Sequence, residues 1–242
     1  SFRHDVLRQW RPGQYMIFDV VELPVFASIG NYRYAYIAVC PTSNYVFSHY
    51  AQRLDSASYI EFLNQLCDMI SMRFCYNLQE LYTDSFSTFQ QTQEVKQTYA
   101  ERHIKVSMTP AEMHWLNSVA ENMIRIITRR TRQNLASVVG MVVEGTVIKD
   151  PQPYWPAAME HAVQMYNHTP NSVNQRIYNA PYAPVQVFGG DTVKPVDLSR
   201  FHRFGELAYG VVYSKDRNGK LNPVSYRGYY MFHASWSSIT GK

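Results

Sequence analysis

The sequence predicts an α/β fold, in which a mixed five-stranded sheet carries helices on both faces and a small β module follows at the C-terminal end. Three early segments are rich in β-branched and aromatic residues and are separated by turn-forming residues, which predicts an antiparallel meander. Helical patterns then alternate with short strands between about residues 56 and 170, as expected of a mixed sheet covered by helices. Finally, short β-like runs return in residues 200–233, on either side of the turn Asp-Arg-Asn-Gly-Lys.

The first half of the chain contains four predicted strands and one predicted helix. The strands are expected at 14–21 (QYMIFDVV), 32–40 (YRYAYIAVC), 44–52 (NYVFSHYAQ) and 78–84 (LQELYTD), and the last of these ends on an acid. Ser56 is predicted to cap a helix of about 17 residues, because apolar side chains recur after it at helical spacing.

The second half continues the alternation and then changes character. A polar helix, a short strand, a long amphipathic helix and a further helix are predicted at 87–102, 104–108, 116–136 and 154–170. Residues 171–199 are rich in Asn and Pro and are predicted to be an extension or tether. The predicted domains are therefore a core over 1–170, that tether, and a small β module over 200–242.

Composition excludes several classes of protein. No run of 18 apolar residues occurs, so no membrane span is expected. Cys40, Cys67 and Cys75 lack CxxC spacing, which argues against a zinc knuckle and a disulfide framework and favours buried free thiols. The net charge of +4 comes entirely from residues 195–242, which hold seven basic and three acidic side chains. A basic module beside a neutral core suits a polyanionic partner.

Three acids stand out by their positions. Asp19 lies inside an apolar strand, Asp84 ends a later strand, and Glu121 lies near the start of the long helix. A carboxylate in an apolar strand is unfavourable unless it is paired or bound to a metal ion. Two Mg²⁺ ions need such oxygen ligands, with one shared acid and one flanking acid for each ion. The sequence therefore predicts a two-metal site with Asp19 shared, although a solvated surface role is the alternative for any single acid.

Several segments occur in the order expected of one known family. They are PGQYMIFDVV, LYTDSFSTF, LNSVAENMIRIITRRTRQNL, YWPAAMEHAVQMYNHTPN, APYAPVQVFGG and the tail FHRFGELAYGVVYSKDRNGKLNPVSYRGYYMF. Together they resemble the integrase of copia-type LTR retrotransposons, within the wider retroviral integrase family. The resemblance covers nearly the whole chain, and it implies a ribonuclease-H-like catalytic core followed by an SH3-like module.

The resemblance also implies a function. Asp19, Asp84 and Glu121 would be the catalytic and metal-binding residues of a DDE-type polynucleotidyl transferase and endonuclease. With Mg²⁺ or Mn²⁺, two ions when DNA is bound, this enzyme would trim DNA 3′ ends and join them to target DNA. Its partners would be double-stranded DNA and further copies of itself, with no membrane and no small-molecule cofactor. The chain would be part of a longer Pol polyprotein, found in the host nucleus or in cytoplasmic virus-like particles.

Basic residues supply candidate DNA contacts. Arg125, Arg129 and Arg132 fall on one side of the long helix, in line with Glu121, and could hold a phosphate backbone. A solvated helix face is the alternative. Asn117 could position the substrate or cap the helix. The remaining candidates lie in the tail and are Lys215, Arg217 and Lys220.

The chain departs from the family pattern beside two of the three acids. Ser85 and Phe86 replace Asn-Gly and Thr88 replaces a Glu, while Ser118 replaces a Gly and Asn122 an Arg. A second hypothesis is therefore a catalytically decayed or domesticated integrase fold that acts as a DNA-binding or assembly module. Ribonuclease H itself is disfavoured, because its usual fourth acid has no clear candidate and the basic tail would have no role.

Overall fold

The computed structural model of the chain describes residues 7, 9–28, 30–75, 77–84, 87–110, 113–143, 145–189, 198–211 and 225–232. Five strands form its main sheet, and the sheet is mixed. The strands are β1 (Tyr15–Glu22), β2 (Tyr34–Val39), β3 (Val46–Ala51), β4 (Glu80–Thr83) and β5 (Lys105–Met108). Their order across the sheet is β3-β2-β1-β4-β5. The first three pair antiparallel as a meander, whereas β4 pairs parallel to β1 and β5 pairs parallel to β4.

Residue alternation in β1 explains why the sheet is covered on both sides. Met16 and Phe18 belong to one buried cluster, while Ile17 belongs to the other. Successive side chains of a strand point to opposite faces, so Asp19 shares its face with Ile17. Both faces of β1 therefore need a helical layer to exclude water.

Four helices provide these two layers. They are α1 (Ser56–Phe74), α2 (Gln93–Glu101), α3 (Trp115–Ser137) and α4 (Trp155–His168). Fully buried side chains of α1 pack with Met16 and Phe18, joined by Val95 of α2. Apolar side chains of α3 and α4 pack with Ile17 on the opposite face. The predicted α/β class, with a mixed five-stranded sheet and helices on both faces, is confirmed.

Two local predictions about helices were wrong. Asp55 rather than Ser56 caps α1, because its Oδ1 accepts the backbone N–H of Ser58 at 2.9 Å; both residue types are favourable caps. The predicted single helix over 87–102 is divided at Thr92 into a 3₁₀ helix (Thr88–Gln91) and α2. Thr92 has an extended backbone and caps α2 through its hydroxyl oxygen.

A short hairpin between α3 and α4 was not predicted. It consists of β6 (Val142–Val143) and β7 (Thr146–Val147), which pair antiparallel. Val142 and Val147 are about half exposed. The strands are too short for their alternation to stand out in the sequence.

Residues 171–189 were predicted to belong to a tether, but they pack against the core. They contain α5 (Ser172–Tyr178) and α6 (Pro184–Gly189). The amide of Asn174 is fully buried and donates to the carbonyl oxygen of Ser43 at 3.0 Å. Phe188 is also fully buried, and it lies so close to Gly13 that a Cβ at that glycine would be 2.8 Å from its ring. Asn and Pro content therefore misled the prediction, because this Asn is a buried hydrogen-bonding residue.

The C-terminal β module is described in part. Its strands β8 (Leu207–Val211) and β9 (Ser225–Tyr229) pair antiparallel. The module contacts the core through His161, whose Nε2–H donates to the carbonyl oxygen of His202 at 2.9 Å, and through Tyr229, whose hydroxyl donates to the carbonyl oxygen of Val142 at 2.6 Å. The tautomer of His161 follows from its other nitrogen, which accepts from the amide of Asn134. The SH3-like character of the module and the domain limits stay predictions.

The cysteines and the apolar character of the helices were also predicted from the sequence. The cysteines are free, as predicted, but only Cys40 is fully buried, whereas Cys67 is half-buried and Cys75 is exposed. Within the described ranges, no helix is both long and apolar enough to cross a membrane.

Candidate active site

Asp19 lies in the middle of the sheet, on the face covered by α3. It pairs with Ile37 across the β1–β2 ladder and follows Ile17, which is buried under α3. Its Oδ1 accepts the backbone N–H of Val20 at 2.7 Å, and the residue is half-buried. The strand thus places this carboxylate between Ile17 and Val21, which both pack in the apolar cluster on this face of the sheet.

Asp84 follows the end of the neighbouring strand. The parallel β1–β4 register pairs Ile17 with Tyr82, so two residues further along each chain Asp19 and Asp84 come level. Because side chains alternate with a period of two, both carboxylates leave the sheet on the same face. Asp84 is exposed, as expected of a residue at the carboxyl end of a strand.

Glu121 is brought to the same place by α3. This helix packs against β1 and β2 through a stripe that includes Leu116, Ala120 and Met123. Glu121 lies beside that stripe and is exposed. The helix therefore holds the carboxylate of its second turn near Asp19, on the face of the sheet that also carries Asp84.

The electrostatics of Asp19 connect the three acids. Burial raises the pKa of Asp19 above its ordinary value, and the nearby carboxylates of Asp84 and Glu121 raise this pKa further. The hydrogen bond from Val20 acts in the opposite direction but does not offset these effects. The structure thus brings together the three acids that the sequence singled out, closely enough for both neighbours to act on Asp19.

Proximity is not the same as a preformed metal cage. In the part of the chain that the structure describes, no group of three or more His, Cys, Asp or Glu side chains is arranged so that it could hold a metal ion. The effect of Asp84 and Glu121 on the pKa of Asp19 acts over a longer distance than that between carboxylates bound to the same metal ion. The role of these acids as metal ligands and catalysts therefore stays a prediction.

Asn117 lies one helical turn before Glu121, on the same side of α3. The helix begins at Trp115 with His114 at its N-cap, so the suggestion that Asn117 caps the helix was wrong. Its side-chain oxygen is buried and has no hydrogen-bond partner among the described residues. A buried acceptor without a donor is unfavourable and uncommon in native proteins. Asn117 is thus a polar group beside the acids with an unused acceptor.

The arginines of α3 lie where the sequence placed them. Arg125, Arg129 and Arg132 are exposed, whereas Arg130 turns towards the core and lies over the ring of Tyr166 at 5.5 Å. A guanidinium group of Arg125 donates to the side-chain oxygen of Asn122 at 2.7 Å. The three exposed residues form a basic strip, named here the α3 arginine strip, that starts one turn beyond Glu121. The other basic candidates, Lys215, Arg217 and Lys220, lie outside the described residues.

An aromatic cluster on the acid-bearing face was not predicted. The rings of Trp10 and Tyr15 lie 4.4 Å apart, and the ring of Tyr82 lies 6.3 Å from that of Tyr15. Tyr15 and Tyr82 precede Asp19 and Asp84 on their strands, at spacings that keep them on the same face. The even spacing of Tyr15, Ile17 and Asp19 was a signal for this arrangement. The contact between Tyr15 and Tyr82 thus joins β1 to β4 on the face that carries both acids.

Comparisons with known proteins agree with this architecture. No protein-family model matches the sequence, and no curated protein matches it. Solved structures do match. A simian T-cell lymphotropic virus intasome, seen by cryo-EM in complex with PP2A regulatory subunit B56 gamma, aligns with a TM-score of 0.54 and 12% identity over 90% of this chain and 68% of that chain.

Two integrase catalytic cores are similar as well. The BIV integrase core aligns with a TM-score of 0.52 and 11% identity, over 73% of this chain and 93% of that chain. The HTLV-2 integrase core, in complex with magnesium and in a dimeric form, aligns with a TM-score of 0.51 and 15% identity, over 74% of this chain and 97% of that chain. This chain therefore has the fold of retroviral integrase catalytic cores. At these identities the likeness concerns the fold alone, and the closer resemblance to copia-type integrases stays a prediction.

The donor set of this chain suits the kind of ion that one of these neighbours holds. Mg²⁺ prefers oxygen ligands, commonly one or two carboxylates completed by water and phosphate. Asp19, Asp84 and Glu121 offer carboxylate oxygens only, and after burial the repulsion from the other two carboxylates contributes to the raised pKa of Asp19. A divalent cation would relieve this repulsion. The residues fit such an ion in chemistry, although their side chains would have to draw together to ligate it.

Proposed function

We propose that this chain is the catalytic region of an integrase of the copia retrotransposon type, a metal-dependent polynucleotidyl transferase acting on double-stranded DNA. Its reactions would be the trimming of DNA 3′ ends by water and the attack of each new 3′-hydroxyl on a target phosphodiester. The observation that carries the proposal is the effect of Asp84 and Glu121 on the pKa of Asp19, within the fold of an integrase core. Acids on three separate elements lie near enough to one another in that fold for two of them to act on the pKa of the third.

Asp19 would be the central group of the site. Its Oδ1 is held by the N–H of Val20, which fixes the orientation of the carboxylate from within its own strand. Asp84 and Glu121 stand on either side, one at a strand end and one on a helix. When bound, Mg²⁺ or Mn²⁺ would supply charge neutralisation at the phosphate and a lower pKa for the attacking water or hydroxyl. The protein would supply the fixed carboxylates that hold such ions in place.

Other side chains would position the DNA. The α3 arginine strip would bind backbone phosphates, with bidentate hydrogen bonds that favour Arg over Lys. The unpaired oxygen of Asn117 would accept a hydrogen bond from a base or from an ordered water next to the scissile phosphate. Assembly into a homo-multimer would bring two DNA ends together, in the host nucleus or in a cytoplasmic virus-like particle.

A second candidate function is a DNA-binding or assembly module without catalysis. The observation that favours it is that the described side chains form no group arranged to hold a metal ion. The altered residues beside Asp84 and Glu121 agree with it. Under this alternative the α3 arginine strip would still bind DNA, but no strand would be cut or joined.

One variant separates the two functions. Asp19→Asn keeps the size of the side chain and the acceptor for Val20, and it removes the central charge. In a strand-transfer assay with Mn²⁺ and a duplex that carries the element's terminal sequence, the unchanged chain should join DNA and this variant should not. Binding of Mn²⁺, measured by calorimetry, should weaken in parallel.

Glu94→Gln is the matched control, because it removes an exposed carboxylate from α2, away from the sheet. This control should keep both activity and Mn²⁺ binding. DNA binding without joining by the unchanged chain would favour the non-catalytic module. Joining by Asp19→Asn at the full rate would exclude the proposed metal site.

A further inference from the structure

A second candidate site is a groove on the rim of the sheet, where β3 ends and α1 begins. Its volume is about 460 Å³, and its wall comprises residues 49–53, Tyr32 and the first turns of α1. None of the three acids of the candidate active site lines it. The groove is therefore a separate site, named here the β3 groove.

The backbone of β3 is unpaired where it borders this groove. The N–H of Cys40 bonds the carbonyl oxygen of Tyr45 at 2.9 Å, so in the antiparallel ladder every second residue from Tyr45 onwards faces β2. Val46 faces outwards, and the side-chain amide of Asn167 pairs with both its N–H and its carbonyl oxygen, at 2.8 and 2.7 Å. By the same alternation the N–H and carbonyl oxygen of Tyr50 face outwards. No hydrogen bond to either group occurs within the described ranges.

His49 adds a buried acceptor to the groove wall. The amide nitrogen of Gln65 donates to Glu61 at 3.2 Å, so its oxygen must accept from Nδ1–H of His49 at 3.0 Å. The Nε2 of His49 then carries a lone pair, and it has no partner among the described residues. His49 is only 3% exposed, and this burial lowers the pKa of its ring, which keeps the lone pair available.

The remaining wall chemistry is acidic. Glu61 is exposed and uses one carboxylate oxygen for Gln65. Asp55, which also lines the groove, uses one oxygen to cap α1 through Ser58. Among the described residues of the wall, Arg53 is the one basic side chain besides the neutral ring of His49. Acceptors and negative charge thus predominate, and their complement is a cation with several N–H donors, namely a guanidinium or ammonium group.

We propose that the β3 groove binds an extended peptide of a partner protein, which adds to the sheet at Tyr50 and places an arginine or lysine side chain against Glu61 and His49. Addition of a strand to an open sheet edge is a common mode of peptide recognition, in which backbone hydrogen bonds give affinity and side-chain pockets give specificity. The acidic wall selects against nucleic acid, because phosphates would be repelled. This site is independent of the proposed catalytic function.

The test uses the full chain and two blocked heptapeptides, Thr-Val-Thr-Arg-Thr-Val-Thr and the same sequence with Glu at the centre. Binding is followed by NMR, through the backbone amide resonances of the chain, at up to about 1 mM peptide, which is high enough to detect a weak complex. The arginine peptide should bind saturably, shift the amides of residues 49–53 and protect the Tyr50 amide from exchange. The glutamate peptide should leave them unchanged.

Glu61→Gln should weaken binding of the arginine peptide about tenfold, because it removes a charge-assisted hydrogen bond. Glu101→Gln is the matched control, since Glu101 is also exposed and also accepts from a glutamine four residues away, Gln97. Three results would each overturn the proposal: no binding, equal binding of the two peptides, or equal effects of the two variants. Sedimentation in which Glu61→Gln alone reduces self-association, without peptide binding, would assign the groove to a second copy of the chain instead.

Discussion

Replacing the three arginines of the α3 arginine strip by alanine should make DNA binding less sensitive to salt. Arg125, Arg129 and Arg132 are exposed on the side of α3 that carries Glu121. Each arginine that neutralises a DNA phosphate releases a condensed counterion, and this release makes the affinity fall as salt rises. Loss of such contacts should therefore flatten the plot of log affinity against log salt concentration.

The size of the effect follows from helix geometry. Arg125 and Arg132 are seven residues apart, which is about 10 Å along a helix, and this length matches about three base pairs of B-DNA. The strip can thus contact about three phosphates of one strand. Each lost contact lowers the slope by about 0.9, so the triple variant should lose about 2.7. When the salt concentration rises from about 50 to about 200 mM, the affinity of the unchanged chain for DNA should therefore fall about fortyfold more than that of the triple variant.

The assay is fluorescence anisotropy with a duplex of about 20 base pairs, titrated at several salt concentrations in this range. The control variant replaces Arg53, Lys96 and Arg176, which are exposed on other parts of the surface, by alanine. It removes the same total charge, so its slope should change by less than about one unit if the effect is local. Equal slopes for the two triple variants, or an unchanged slope for the α3 variant, would refute the reasoning.

Three further predictions concern stability. Without divalent cations, Asp19→Asn should raise the free energy of unfolding at pH 7 by up to about 1 kcal/mol. Burial and the neighbouring carboxylates raise the pKa of Asp19 and so disfavour its charged form, while partial exposure limits the effect. A less stable variant in urea unfolding would contradict this. Asn167→Ala should lower that free energy by about 2–4 kcal/mol, since it removes both partners of Val46 and leaves two buried backbone groups unpaired; a loss below about 1 kcal/mol in the same assay would speak against an edge-sealing role. Burial lowers the pKa of His161, so the unfolded chain takes up the proton first and stability should fall as pH drops below about 6.5; an NMR titration of His161 giving a pKa above this value would show that the ring is not held neutral.

Much of the core could be predicted because its pattern is local. The alternation of Met16, Ile17 and Phe18 has a period of two, and the apolar stripe of α3 has a helical period. Each pattern therefore predicts which face of its element is buried. Asp19 interrupts such a pattern, and that interruption pointed to the candidate site. Asp84 then comes level with Asp19 because β1 and β4 pair parallel, with Ile17 opposite Tyr82.

The features that escaped prediction depend on contacts between distant parts of the chain. Asn167 substitutes for a neighbouring strand at Val46, 121 residues away, and no local pattern announces that role. Asn174 and Phe188 are buried only because α5 and α6 fold back over the first half of the chain. The unpaired oxygen of Asn117 and the acceptor-rich wall of the β3 groove likewise appear only after the side chains are placed.

The long helix α3 also sets a distance scale. Glu121 lies in its second turn, and Val138, directly after its end, contacts the C-terminal module at Gly205. These two points are 17 residues apart, or about 25 Å along a straight helix, which equals about seven base pairs of duplex DNA. A duplex that runs along α3 with its reactive end at the acids would therefore meet the C-terminal module less than one helical turn away. The module would then form a second contact with the DNA, at a fixed number of base pairs from the end held at the acids.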